Sequence, residues 1–247
     1  MKTPTAIATI LAAIGMVSSV SATAIALNFA QNNNQAFTGG ADIGPTLVLS
    51  GDKVNSTNWN STIDRDSGNL PAGKIENLKD STGAATTATV EWSSSNVYWN
   101  NDGTGSDEAK LAVGYLDDGS NGAGFTVTDI PYELYNVYVL FTSDSNGDYL
   151  HTPLTIDGVG YLGGDNFLAH GRVTDGTGWL LADGSVNGNY ALVHNLSSTS
   201  LTVSSGVRSG AVRGPLTGVI LEEVPEPSAP AFLAGLLGLG LLLRRRK

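Results

Sequence analysis

The clearest pattern along this chain is a series of short apolar runs, rich in β-branched and aromatic residues and separated by Gly, Asn, Asp, Ser and Thr. Runs of this length predict strands rather than helices. They fall at 25–29, 46–49, 86–92, 110–116, 124–128, 135–142, 154–156, 189–193, 201–203 and 216–222. Between them, pairs such as Asp118-Gly119, Asn121-Gly122, Asp157-Gly158 and Asp183-Gly184 supply tight turns that need positive φ. The strongest run, Tyr135 to Thr142, alternates at first and then becomes continuously apolar, as a strand buried on both faces would. The pattern predicts an all-β fold, a single β-sandwich domain over 25–223.

Both ends depart from this pattern. Lys2 followed by the apolar stretch Ala6 to Val17 and the small-x-small triplet Ala22-Thr23-Ala24 reads as a signal peptide over 1–24, with cleavage near Ile25. This leader predicts passage through the Sec translocon and cutting by signal peptidase. At the other end, Val224-Pro225-Glu226-Pro227-Ser228 is held extended, because Pro fixes its own φ and restricts the residue before it. A hydrophobic helix is expected over about 229–243, and Arg244, Arg245, Arg246 and Lys247 keep its end on the cytoplasmic side. The unbroken apolar part, Ala231 to Leu243, is about 20 Å long as a helix against a hydrocarbon core of about 30 Å. So short a transmembrane helix suits a transient anchor better than a permanent one.

The order of proline-rich motif, Leu/Gly-rich stretch and arginine-rich end resembles the PEP-CTERM sorting signal of Gram-negative bacteria. The resemblance covers residues 224–247 only. It implies an exosortase as partner, acting at or near Val224, Pro225, Glu226 and Pro227. It also implies a chain exported across the inner membrane, held briefly by its C-terminus and then placed at the cell surface or in an extracellular polysaccharide (biofilm) matrix. Within the domain, Ile130-Pro131-Tyr132-Glu133 before Tyr135, the stretch Gly214 to Glu222, and Thr86 to Trp92 resemble segments of galactose-binding-like jelly-roll domains. That second resemblance implies a jelly-roll sandwich and hints at carbohydrate binding.

Charge changes the picture of partners. The whole chain carries −10, but five of its thirteen basic residues are Lys2 and the four at the C-terminal end. The stretch between them holds eight basic residues against twenty-three acidic ones, a formal charge of −15. Such a surface repels nucleic acid and anionic polysaccharide, so no nucleic-acid partner is expected. Cysteine is absent, which excludes disulfides and thiolate metal sites.

Candidate chemistry inside the domain is sparse. Asp144, Asn146 and Asp148 place oxygen ligands at alternate positions around Gly147, half of a Ca2+ loop without its distal Glu. Asp102, Asp107 and Glu108, with Asp117 and Asp118, form another candidate for a hard cation, the alternative being solvated turns. Gly158-Val159-Gly160-Tyr161-Leu162-Gly163 matches a dinucleotide-binding fingerprint by letter, yet Gly164-Asp165-Asn166 follows where a helix should begin, so a hairpin or loop is expected. His151, His170 and His194 lack metal-ligand spacing. Trp59, Trp92, Trp99 and Trp179, with Tyr98 and Tyr115, would serve either as core or as a stacking platform for sugars, with core packing favoured. No residue is singled out as catalytic, and no cofactor beyond the candidate Ca2+ is expected. The expectation is a non-catalytic structural or carbohydrate-interacting protein. The alternatives are a lectin-like module with a defined glycan, or a polysaccharide hydrolase using a carboxylate pair.

Overall fold

The computed structural model describes residues 22–30, 46–49, 52–55, 57–62, 70–99, 111–112, 114–143, 145, 147–171, 173 and 178–225. Two compact units divide the chain: Thr23–Val224, and a second comprising Met1–Ala22 with Pro225–Lys247. All of the second except Ala22 and Pro225 lies outside the described residues, including the signal peptide's apolar stretch, the expected span 229–243 and the basic end. No helix among the described residues is long and apolar enough to cross a membrane.

The first unit is all-β. In chain order its strands are β1 (Ala24–Asn28), β2 (Thr46–Leu49), β3 (Asp52–Asn55), β4 (Asn60–Ser61), β5 (Ala72–Ile75) and β6 (Thr89–Ser93). Next come β7 (Asn96–Trp99), β8 (Gly114–Asp117), β9 (Ala123–Thr128), β10 (Tyr135–Leu140), β11 (Asp148–His151) and β12 (Leu154–Ile156). The last are β13 (Val159–Gly160), β14 (Phe167–His170), β15 (Tyr190–Leu196), β16 (Leu201–Ser205) and β17 (Gly218–Glu223). Two large sheets carry the fold, a five-stranded one in the order β15-β10-β17-β1-β4 and a six-stranded one in the order β13-β12-β16-β9-β6-β5. Two-stranded pairs β2-β3, β7-β8 and β11-β14 complete it.

The burial pattern of each sheet follows from its residue pattern. In the six-stranded sheet Val90, Trp92, Phe125, Val127, Leu201 and Val203 point inward, while the residues between them face solvent or are partly covered. That alternation is what a strand with one wet face requires. The five-stranded sheet is covered on both sides. Ile25, Leu27, Val137, Val139, Val219 and Leu221 meet the other sheet in the main core. Their neighbours Ala24, Ala26, Tyr138, Leu140 and Ile220 pack with Leu49, Val54, Trp59 and Trp179 in a second core. The continuously apolar run in β10 is therefore buried on both faces, as its sequence predicts. Across the main core Phe29 lies 5.2 Å from Phe125 and 6.3 Å from Trp92 between ring centroids. Contacts of this kind contribute about 0.5–1.5 kcal/mol beyond area burial.

The fingerprint-like glycine run is a hairpin. Asp157 and Gly158 take φ of 52° and 79°, the two positive values that a two-residue turn between β12 and β13 demands. A short 3-10 turn over Tyr161–Gly164 follows. Four expected strands start later than their apolar runs, those at 86 and 110 by the widest margin. Thr86 spends its hydroxyl on the Leu78 carbonyl at 2.7 Å, so β6 begins at Thr89. Leu111 and Ala112 lie outside any strand and pack in the second core, and β8 begins at Gly114. A Cβ at Gly114 would overlap Ala30 Cβ and the Phe29 carbonyl, so only glycine lets β8 pass this close to the end of β1.

Candidate functional site

The strongest gathering of polar and aromatic side chains is built on β7 and β8. Tyr98 and Tyr115 are opposite one another in the antiparallel register, with ring centroids 5.0 Å apart and planes at 30°. Two residues on, the period of the strand returns Asp117 to the face of Tyr115. Arg213 arrives from the segment before β17, fixed by its own backbone: its N–H donates to the Leu150 carbonyl at 2.9 Å and its carbonyl accepts from Thr152 N at 2.7 Å. Its guanidinium carbon lies 5.6 Å from the Tyr115 ring centre. From there Nη2 donates to Tyr115 Oη at 3.2 Å and to Asp117 Oδ1 at 3.3 Å. The cation thus sits against an aromatic face and a carboxylate together.

Asp118, next along the chain, is fully enclosed. Burial pushes its carboxyl above the usual carboxylate range, opposed by the Gly214 backbone N–H and by the Arg213 charge. Behind Arg213, His151 is also enclosed, stacked on Phe167 at 4.8 Å. Its Nδ1 donates to the Thr152 carbonyl at 2.6 Å, and burial lowers its pKa from 6.5 to about 4. The ring is therefore neutral at pH 7, a structural histidine rather than a proton carrier facing solvent. Of the cluster, Tyr98 is half-buried and the Asp117 side chain is 20% exposed, whereas Arg213 is 10% exposed and Tyr115 is buried. Tyr98 and Asp117 are the parts of the cluster that solvent reaches, with Arg213 holding Asp117 and Tyr115 from behind. A carboxylate beside a ring can accept hydrogen bonds while the ring stacks an apolar C–H face.

Concavities among the described residues also lie elsewhere. A cleft of about 440 Å³ is lined by Asn60, Ile75, Glu76, Asn77 and Lys79 among others. Its Asn60 amide is spent on the fold: Nδ2 donates to the Ala26 and Lys79 carbonyls and Oδ1 accepts from Lys79 N. A groove of about 300 Å³ crosses the six-stranded sheet beside Glu91, Thr126 and Thr202. Lys74 pairs with Glu76 at 3.1 Å and with the groove's Glu91 at 3.4 Å.

The residues singled out from the sequence separate in space. Trp59, Trp92, Trp179 and Tyr115 are core, and Trp92 Nε1 donates to the Leu70 carbonyl at 3.2 Å. The Trp99 side chain lies outside the described residues. Of the Ca2+ candidates, Asp144 and Asn146 also lie outside them, while Asp148 is engaged by His170 Nδ1 at 3.0 Å and Asn187 Nδ2 at 2.8 Å. Those bonds, His170 foremost, hold its carboxyl below the usual carboxylate value. Asp102, Asp107 and Glu108 lie outside as well, and Asp117 and Asp118 belong to the Arg213 cluster. Among the described residues no group of three or more His, Asp or Glu is placed to hold a metal. Of the sorting motif, Val224 donates its N–H to the Leu134 carbonyl at 2.8 Å and Pro225 follows, while Glu226, Pro227 and Arg244 to Lys247 lie outside the described residues. Sequence reasoning passed over Arg213. Its signal was weak: a basic residue in an acidic chain, directly after the apolar pair Ala211-Val212.

No protein-family model matches the chain, and no curated protein does.

Proposed function

We propose that this chain is an exported surface or extracellular-matrix protein, delivered by an exosortase-type system, whose jelly-roll-like β-sandwich acts as a non-catalytic structural or carbohydrate-interacting component. The observation that carries this reading is where the fold closes. Glu223 N–H donates to the Thr23 carbonyl and Val224 N–H to the Leu134 carbonyl, each at 2.8 Å, and the proline motif begins immediately afterwards. Cutting at Pro225-Glu226-Pro227 would leave every described strand and its ladder intact, as release of a finished domain from a disposable tail requires. Mass spectrometry of the protein recovered outside the producing cells tests it. The expected C-terminus lies at or near the motif, and recovery of Arg244 to Lys247 in the secreted pool overturns the reading.

A second reading, a lectin-like module with a defined neutral glycan, draws on the Tyr98, Tyr115, Asp117 and Arg213 cluster. Its measurement is retention on an array of neutral glycans. Tyr98→Ala is expected to weaken that retention about 2- to 10-fold, the worth of one stacked ring. Absence of retention by the unaltered domain would leave the structural role.

A further inference from the structure

We infer that the leader is removed at the Ala22–Thr23 bond, so that the mature chain begins with Thr23 and sets its new α-ammonium group against the Glu223 carboxylate. The inference rests on the export reading and moves the cut two residues upstream of the one that the Ala22-Thr23-Ala24 triplet suggests. Thr23 and Ala24 are working parts of the domain. The register that pairs Ala24 with Glu222 continues to Thr23 and Glu223, where the Thr23 carbonyl accepts from Glu223 N at 2.8 Å. Thr23 Oγ1 donates to Glu223 Oε2 at 2.7 Å, and Thr23 N lies 3.4 Å from the same oxygen. Freed from Ala22, that nitrogen becomes a cation beside a carboxylate, and a neutral contact becomes a charge-assisted one.

A cut after Ala24 has the opposite effect. It discards the Thr23 bonds, the pairing of Ala24 with Glu222, and the bond from Ala24 N to Ser81 Oγ at 3.2 Å. It also places an ammonium group on Ile25, which is 1% exposed and lies between β17 and the bridge to Asp80. Asp80 Oδ1 already accepts from Thr82 N, Thr82 Oγ1 and Ala84 N at 2.6–3.1 Å. That cut sets a charge at the edge of the core, where the cut after Ala22 sets it beside the Glu223 carboxylate. The leader itself permits the upstream cut, since Val20-Ser21-Ala22 puts alanine directly before the bond and a short aliphatic residue two positions earlier.

N-terminal peptide mapping of protein secreted from its own full-length precursor decides the matter. A first residue of Thr23, with loss of residues 1–22, is expected. A start at Ile25 or elsewhere within β1 overturns the inference and leaves the export reading standing. Retention of Met1 on the secreted protein overturns the cleaved-leader reading and the inference together.

Discussion

Arg213→Ala is expected to lower the stability of the domain by about 3–5 kcal/mol, the cost of removing one partner from a buried charge cluster. In a domain of this size that corresponds to a fall in melting temperature of about 6–20 °C. The guanidinium faces the Tyr115 ring and Asp117, and its charge also favours ionised Asp118, which is closed to solvent. Removing it takes away a charge that favours the ionised form of Asp118 and leaves the Tyr115 hydroxyl without that donor. The loss is expected to be coupled to Asp118. In the double variant Arg213→Ala/Asp118→Asn the carboxyl that this charge acts on is gone as well, so the pair should cost less than the sum of its single substitutions. Chemical denaturation of the four proteins measures this. A single variant within about 1 kcal/mol of the parent would show that the cluster carries no structural weight.

Lowering the pH from 7 to 4 is expected to destabilise the domain through His151. Its pKa in the folded protein is about 4, below the ordinary 6.5, because burial against Phe141 and Phe167 disfavours the charged ring. Between those two values the unfolded chain binds a proton that the folded chain refuses, so stability rises with pH across that interval. The contribution is complete above pH 6.5 and is lost progressively as the pH falls to about 4, amounting to about 3 kcal/mol. His151→Gln retains an amide donor for the Thr152 carbonyl but does not titrate. Its unfolding free energy should follow pH between 4 and 6.5 with a slope smaller by one proton. Equal slopes in the two proteins would contradict a buried neutral imidazole.

How much of this was legible beforehand differs from element to element. The hairpin at Asp157-Gly158 could be read because only a few residues tolerate positive φ, and two adjacent ones specify a turn almost by themselves. The β10 run could be read because a strand buried on both sides has no polar face to interrupt it. By contrast β3, β5 and β7, with sequences DKVN, AGKI and NVYW, were not expected as strands. Each is four residues long, too short to show a period, and each is held by pairing with one neighbouring strand rather than by its own composition. The strands β11 and β14 were missed for the same reason, and they complete the pocket around His151.

The candidate cluster shows the same division. Sequence alone determined an all-β chain of short strands and tight turns, acidic between two atypical ends. Those are properties of local conformational preference and summed charge, which neighbours along the chain already contain. Tertiary structure decided that Tyr98 and Tyr115 stack, that Arg213, ninety-six residues beyond Asp117, supplies its cation, and that Asp118 and His151 are closed to water. It also decided that Thr23 and Ala24 belong to the domain, by pairing them with the final strand about 200 residues away. Pairing and enclosure depend on which distant segments share a sheet, and no local pattern of residues records that choice.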